Sequence, residues 1–275
     1  MSQTLSNVEQ TLFDSLVKAQ YQSNGHLFRG SIRTVNDVIG AFVQFRKVNT
    51  VMSVPTAYLA QVTVQDPNYS KVTATLQKYT TPTAVDEVQE ITVNFDTKME
   101  NAMLVAYAMG RRADQICIDA LDADPGSTIA NGGTNFNYAK FTQITEFFLD
   151  NAVPLEERYV AMSGSMYQSL MNDDKFISNR YTSNDSIDRG NTSRYLGFNL
   201  IMVPSMPEGG LPLSGTIQTA LAWHKRSTGM AIGKDFRTEI NYDFNRTSWL
   251  INGVFSAGAV VIDNKGTMNI DCETA

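Results

Sequence analysis

The sequence predicts an α+β fold, with strand-rich blocks towards both ends of the chain joined by one long helix and a small mixed unit. Three observations carry that reading. A capping box, Thr97-Lys-Met-Glu100, opens a run of apolar residues at helical spacing that reaches Leu121. Period-two alternation marks residues 28–95 ahead of it and 219–263 beyond it. Between residues 138 and 204, short helical and strand-like runs alternate.

Residues 1–25 read as an arm. Ser6 can cap a helix with Val8, Leu12, Phe13, Leu16 and Ala19 on one narrow face, and Asn24-Gly25 ends it. That face is expected to dock on the rest of the fold or on a neighbour. Ala60–Val64, Lys71–Lys78 and Ile91–Phe95 alternate as strands. Asp66-Pro67-Asn68 between the first two predicts an antiparallel hairpin over Ala60–Lys78. Its outer face is filled by Thr, Gln and Lys, and an isolated two-stranded ribbon is marginal in water. It is either an ordinary meander on a core or an arm lying on another subunit.

In the long helix Met99, Ala102, Met103, Ala106, Met109, Ala113, Ile116, Cys117, Ala120 and Leu121 recur at three- and four-residue steps. Asp122-Ala-Asp-Pro125-Gly126 stops it, after about 37 Å at 1.5 Å per residue. Ala102–Met109 is apolar nearly all round and is expected to be buried on several sides. Arg111, Arg112, Asp114, Gln115 and Asp119 are expected to lie along a surface.

A Gly/Asn-rich loop follows over residues 126–137. Phe141, Ile144, Phe147, Phe148 and Ala152 mark an amphipathic helix closed before Pro154. Tyr159–Met162 reads as a short buried strand and Ser165–Met171 as a short helix opened by serine caps. Residues 172–194 are polar, with almost no apolar anchor; loops of that length are usually functional or ordered by a partner. Tyr195–Pro204, Thr219–Trp223, Thr228–Tyr242 and Ser248–Asp263 return to strand. Trp249, Leu250, Val254, Phe255 and Val260 are expected to build a second core with the long helix.

The 275 residues hold 22 Lys+Arg against 28 Asp+Glu, a net charge of −6, with 43% hydrophobic and 18% charged residues. This is an ordered globular composition, with fewer charges than the roughly 25% of an average domain, which points to surface covered by partners. No run approaches the ~18 apolar residues of a membrane span. The start MSQTLSNVEQ has no basic segment and apolar run, so no secretory signal is expected. An acidic balance without a Lys/Arg block argues against a nucleic-acid reader. Cys117 and Cys272 form neither a ligand pair nor a disulfide framework, which fits a reducing compartment.

Gly229-Met-Ala-Ile-Gly233-Lys234-Asp235 approaches a phosphate loop but is one residue short, and Asp235 stands where a magnesium-binding hydroxyl belongs; a glycine pair in a strand is the better account. Asp119, Asp122 and Asp124 lack EF-hand spacing. His26 and His224 stand at no metal spacing, and Trp223-His224-Lys225 could supply a base but has no recognisable nucleophile. No catalytic, cofactor or metal site is expected.

Several segments, in order and spacing, resemble the major capsid proteins of tailed bacteriophages, which have the Hong Kong 97 fold, most closely the short-tailed type. They are Val72–Leu76, Phe95-Asp-Thr-Lys, Ala108-Met-Gly-Arg-Arg-Ala-Asp-Gln115 with Asp119-Ala-Leu121, Gly197–Ser205 with Pro207, Ala222–Lys225, Gly229–Asp235 and Ser256–Asp263. The resemblance covers nearly the whole chain. It implies an N-terminal arm over 1–27, and N-terminal strands over 28–95 that include an extended loop at about 46–80. A spine helix and following loop of the peripheral domain would take 96–137. The axial domain would take 138–232, and closing strands of the peripheral domain 233–275.

The resemblance further implies assembly in place of turnover. Pentamers and hexamers of one subunit would form a virion shell in the host cytoplasm, with a scaffolding protein, a portal protein at one vertex and packaged double-stranded DNA held without sequence-specific contact. No membrane and no cofactor enter. A separate scaffolding protein is expected because no long N-terminal helical extension is present. Arg46, Lys47, Lys71 and Lys78 on the extended loop are candidates to meet carboxylates of the next subunit. Arg111 and Arg112 on the spine helix, and Asn179, Arg180 and Tyr181 in the axial loop, are further contact candidates. The acid, lysine and asparagine of the covalent cross-link found in some relatives map onto no matching positions, so none is expected. An encapsulin-type compartment shell is the alternative with the same fold, and an acidic enzyme with a site near His224 the alternative of another class.

Overall fold

The computed structural model describes residues 26–62, 64–86, 97–173, 176 and 194–274, without the side chains of Thr97 and Lys98. The arm helix, the strand Ile91–Phe95, the capping box and most of the polar stretch 172–194 therefore lie outside the described residues.

A four-stranded sheet holds the chain's two strand-rich blocks together. It contains β1 (Arg33–Val35), β4 (Gln77–Asp86), β11 (Thr228–Asp243) and β12 (Ser248–Val261), in the order β1-β11-β12-β4. The long helix α1 (Thr97–Ala123) lies on one face, chiefly over β12 and β4. Ile251, Gly253, Phe255 and Ala257, which alternate along β12, are buried. Gly253 is required there: a Cβ would stand 2.5 Å from Met109 Sδ and 2.6 Å from Val105 Cγ1. The second core forms as the sequence predicts, but only Trp249 and Phe255 of the five expected residues share this face. Leu250, Val254 and Val260 have the opposite parity and are half-buried.

The other face of the sheet receives a ribbon of β2 (Phe42–Val48) and β3 (Tyr69–Thr75). Phe45 and Ala74 pack there against Ala231 and Ile262. At Gly258 a Cβ would stand 2.1 Å from the Thr75 carbonyl oxygen, so only glycine admits the ribbon. This corrects the predicted Ala60–Lys78 hairpin. Tyr69–Thr75 pairs with β2 from Phe42↔Thr75 to Val48↔Tyr69, and Gln77–Asp86 is a separate strand on β12. The buried ring of Phe45 decides the pairing, because β3 offers that face only Val72 and Ala74.

The second sheet runs β5-β13-β10-β6-β8-β7, with β9 (Leu213–Ser214) beside β10. Its strands are β5 (Thr128–Ile129), β6 (Arg158–Met162), β7 (Arg194–Tyr195), β8 (Phe198–Met202), β10 (Ile217–His224) and β13 (Thr267–Glu273). The predicted Tyr195–Pro204 strand is split into β7 and β8 by a turn at Leu196-Gly197, both at positive φ. Helix α2 (Tyr138–Asp150) starts at Asn137, whose side chain accepts from the Lys140 amide at 2.9 Å. Helix α3 (Gly164–Met171) follows Ser163, which holds the cap position without a side-chain cap bond.

Phe141 and Phe148 of α2 meet Phe198 edge-on at 5.6 and 5.3 Å. Arg158 is fully buried in the same layer. Its guanidinium lies 5.4 Å from the Phe148 ring and 5.5 Å from the Phe198 ring, and donates to the Val153 and Pro154 carbonyls where α2 gives way to β6.

The burial expected along α1 is met only in part. Within Ala102–Met109, Val105 and Met109 are buried but Met103 is 41% exposed, whereas Asp114, expected on the surface, is buried beside Cys117, Ile118 and Leu121. The chain entering at residues 26–32 and strand β10 of the second sheet close over the helix's second half.

Candidate assembly surfaces

Register along the β2–β3 ribbon sets its charges. Phe45 and Ala74 point to the core, so Arg46 and Lys71, directly opposite each other, both stand on the exposed face. Two like charges at a directly opposed pair are unfavourable by themselves. Lys47, one residue on, is turned inward and donates to Asp263 Oδ1 of its own chain at 2.8 Å. Lys78 lies in β4 opposite Ser256 and is exposed. The four expected ribbon cations thus divide into three exposed ones and one engaged within the subunit.

Beyond the ribbon, residues 49–68 carry a series of exposed apolar side chains: Val51, Met52, Val54, Tyr58, Leu59, Val62 and Val64. Tyr58 and Leu59 are fully exposed, and Leu59 takes a positive φ of 62°. The sequence signal, alternation over Ala60–Val64, was a strand signal; these residues take part in no strand among the described residues.

On α1, Arg112 lies 4.9 Å from the Tyr79 ring centroid and 3.8 Å from Glu208. Arg111 lies beneath Gly209, where a Cβ would stand 3.2 Å from the arginine's own Cβ, and Gln115 Oε1 accepts the Gly209 amide at 2.9 Å. This part of α1 is docked against the turn before β9. Asn179, Arg180 and Tyr181 lie outside the described residues.

Asp114 was expected on the helix surface; instead it is 3% exposed and its carboxylate accepts the backbone amides of Leu27 and Phe28, both at 3.1 Å. Burial raises its pKa above the ordinary aspartate value, against the opposing effect of those two amides. No sequence signal marks it, because its partners are 87 and 86 residues away.

The other chemical candidates are structural. Gly229 to Asp235 runs inside β11, not in a loop. Asp119 accepts from Gln115 at 2.6 Å and Asp122 from Asn269 at 2.8 Å, and among the described residues no group of three His, Cys, Asp or Glu could hold a metal ion. The His224 Nδ1 accepts the Arg226 amide at 3.2 Å, and burial lowers the ring's pKa. Ser227 donates to the carbonyl of His224, at 2.6 Å, not to its ring, so the two form no nucleophile–base pair. His26 packs edge-on against Phe236 at 4.8 Å. Burial pushes up both thiols, that of Cys272 to about 11. No described helix is long and apolar enough to cross a membrane.

Comparison with known proteins gives a consistent picture. Residues 5–274 match the family model described as phage capsid protein. Among solved structures, the acidic stable capsid of Helicobacter pylori bacteriophage KHP30 aligns with TM-score 0.72 at 9% identity, covering 89% of this chain and 88% of that one. The capsid of cyanophage P-SCSP1u aligns with TM-score 0.69 at 14% identity, over 90% and 88% of the two chains. Mycobacterium phage Che8 gives TM-score 0.68 at 16% identity, over 84% and 85%. No curated protein sequence matches. At these identities the likeness shows the fold, which is of the Hong Kong 97 type.

Proposed function

Because this chain belongs to the phage capsid protein family, we propose that it is the repeating subunit of an icosahedral shell, built from its pentamers and hexamers, that encloses the double-stranded DNA of a tailed phage. The family is a structural one of the virion capsid, not an enzyme family. In our reading the subunit has no catalytic activity, and shells form in the host cytoplasm with a scaffolding protein and a portal at one vertex. The four-stranded sheet with α1 would be the peripheral domain, the second sheet with α2 and α3 the axial domain, and residues 49–68 the tip of the extended loop.

One observation carries the reading: the apolar side chains of residues 49–68 stand in solvent in the single subunit. Exposed patches of this kind mark interaction surfaces. Burying one such large side chain on a neighbour contributes about 1.5–3 kcal/mol before association costs. Each contact can stay modest, since a closed shell multiplies it over every copy. The exposed cations Arg46, Lys71 and Lys78 would meet carboxylates of the next subunit, and the net charge of −6 keeps the lining from gripping the entering duplex.

The test is Tyr58→Ser with Leu59→Ser in the chain co-expressed with its scaffolding protein. Neither side chain contributes to the subunit core, so subunit stability should stay within about 0.5 kcal/mol of wild type. Electron microscopy should show few or no closed shells. Shells at wild-type yield would overturn the assignment of this loop to assembly.

A further inference from the structure

Cations gather at one corner of the subunit, around the turn His224–Ser227 that joins β10 to β11. Two hollows flank this turn and share Arg226. One, of about 540 Å³, is walled by Ile32, Arg33, Thr34, Glu157, Lys225 and Arg226. The other, of about 220 Å³, lies between the end of α2 at Asn151–Pro154 and the tight turn Asp263–Gly266, with His224, Arg226 and Lys265 on its walls. The two carboxylates among these walls are already engaged: Glu157 lies 3.2 Å from Lys225, and Asp263 lies 2.8 Å from Lys47 of the ribbon. Arg33, Arg226 and Lys265 are exposed and have no ion-pair partner among the described residues. The turn that carries them is firmly held. Ser227 Oγ lies 2.6 and 3.0 Å from the carbonyl oxygens of His224 and Gly266. The Ser227 carbonyl accepts the amides of Ile262 and Asp263 at 2.7 and 3.1 Å, and the Lys225 amide donates to the Glu157 carbonyl at 3.0 Å. With the backbone fixed, an arriving anion costs only side-chain freedom.

We propose that this corner is a docking site for carboxylates of a second copy of the chain, an assembly contact separate from residues 49–68 and resting on the assembly reading above. Charge argues for the occupant. The chain carries 28 Asp+Glu against 22 Lys+Arg, so a neighbouring copy has a surplus of carboxylates to offer three uncompensated cations. Two of the three are arginines, whose planar fork takes a carboxylate through two parallel hydrogen bonds. Shape argues for a peptide over a duplex. The cations rim hollows whose walls include Ile32, Val153 and Pro154, the apolar floor with a polar rim that a protein partner fills. Phosphate contacts, by contrast, come from cations, polar side chains and N–H groups and make no use of such walls.

The test is Arg226→Glu with Lys265→Glu in the full chain co-expressed with its scaffolding protein. Both side chains are exposed, so the melting temperature of the unassembled subunit should stay within about 2 °C of wild type. Closed shells counted by electron microscopy should fall at least about fivefold. A second measurement uses wild-type shells and does not depend on the variant folding. A zero-length carbodiimide joins an amine to a carboxylate with loss of water, and should link Lys225 or Lys265 to an Asp or Glu of another copy. The linked dimer should be mapped by mass spectrometry and be absent from unassembled subunits; the pair Lys225–Glu157 can link only within one chain and gives no dimer. Double-variant shells at the wild-type yield would overturn this proposal alone, whereas wild-type chains that form no shells would overturn it together with the assembly reading. Wild-type shells without the linked dimer would overturn it, as would links from these lysines to the scaffolding protein in place of a second copy. A mobility shift of duplex DNA by the wild-type subunit at about 0.15 M salt, lost in the double variant, would assign the corner to phosphate and overturn it too.

Discussion

Lys71→Glu separates folding from assembly, because its two effects have opposite signs. In the single subunit Lys71 stands directly across the ribbon from Arg46, both exposed. Like charges at such a position cost about 0.2–1 kcal/mol and opposite charges gain a similar amount, so the substitution should stabilise the unassembled subunit by about 0.5–2 kcal/mol. In a thermal melt this is a rise of a few degrees in Tm. If Lys71 meets a neighbouring carboxylate as proposed, the same change would remove that exposed pair in the shell and put repulsion in its place. That loss is also about 0.5–2 kcal/mol per contact. At roughly 1.4 kcal/mol per decade, the subunit concentration needed for closed shells should rise about 2–30-fold. Sedimentation and electron microscopy over a concentration series read the second effect. Raising the ionic strength from about 0.15 to 1 M shortens the screening length from roughly 8 to 3 Å, and should shrink both effects together. Shells forming at the wild-type concentration would refute the reasoning, and so would a lowered Tm.

Three further outcomes follow from the packing. Gly253→Val drives a branched side chain into Val105 and Met109 and should cost about 1–3 kcal/mol in a chemical melt; Gly30→Ala, with no neighbour within 4 Å, should be near neutral. Asp114→Asn turns an amide towards one of two backbone N–H groups and should cost about 1–3 kcal/mol. The folded-state pKa of Asp114 is raised by burial, so the stability it contributes is fully present below its unfolded pKa and is lost as pH rises through the folded one. Asparagine has no such loss, so its deficit in paired melts should be larger at pH 4 than at pH 7, and a deficit that widens with pH would contradict the assignment. Arg158→Ala leaves a hole between Phe148 and Phe198 and removes the donors to the Val153 and Pro154 carbonyls. Its cost should be about 3–5 kcal/mol, read by denaturant unfolding.

Local features of this fold were legible in the sequence; distant ones were not. The span of α1, the paired strands β11 and β12 and the short helices α2 and α3 follow from periodicity and stop signals. The partner of β3 does not, because choosing Phe42–Val48 over Ala60–Val64 depends on where Phe45 is buried, against Ala231 and Ile262. The burial along α1 was misjudged in part for the same reason. Ala102–Met109 is more apolar, but residues 26–32 and β10 also cover the other half. Among the candidate contact residues, Lys47 looks locally like Arg46, yet its partner Asp263 is 216 residues away. Strand parity could have separated the two: once Phe45 is fixed inward, Lys47 shares its face and Arg46 does not.

Identities of 9–16% with TM-scores near 0.7 call for a physical account, and two close contacts and the tolerance of the core supply it. The sheet is held between α1 and the ribbon by close approaches at Gly253 and Gly258, where the requirement is the absence of a side chain. The core faces require apolar volume at alternating positions, which many residues satisfy. The remaining surface is free to diverge, because each subunit meets copies of itself and complementary changes arise together in one gene. Exposed cation positions such as Arg46 and Lys71 therefore carry no constraint from the subunit core. A chimera follows from this argument. Exchanging residues 42–75 for the matching ribbon of a relative should preserve subunit folding, provided Phe45, Ala74 and the glycine at 258 are kept. It should fail to close shells until the acceptor carboxylates are exchanged as well.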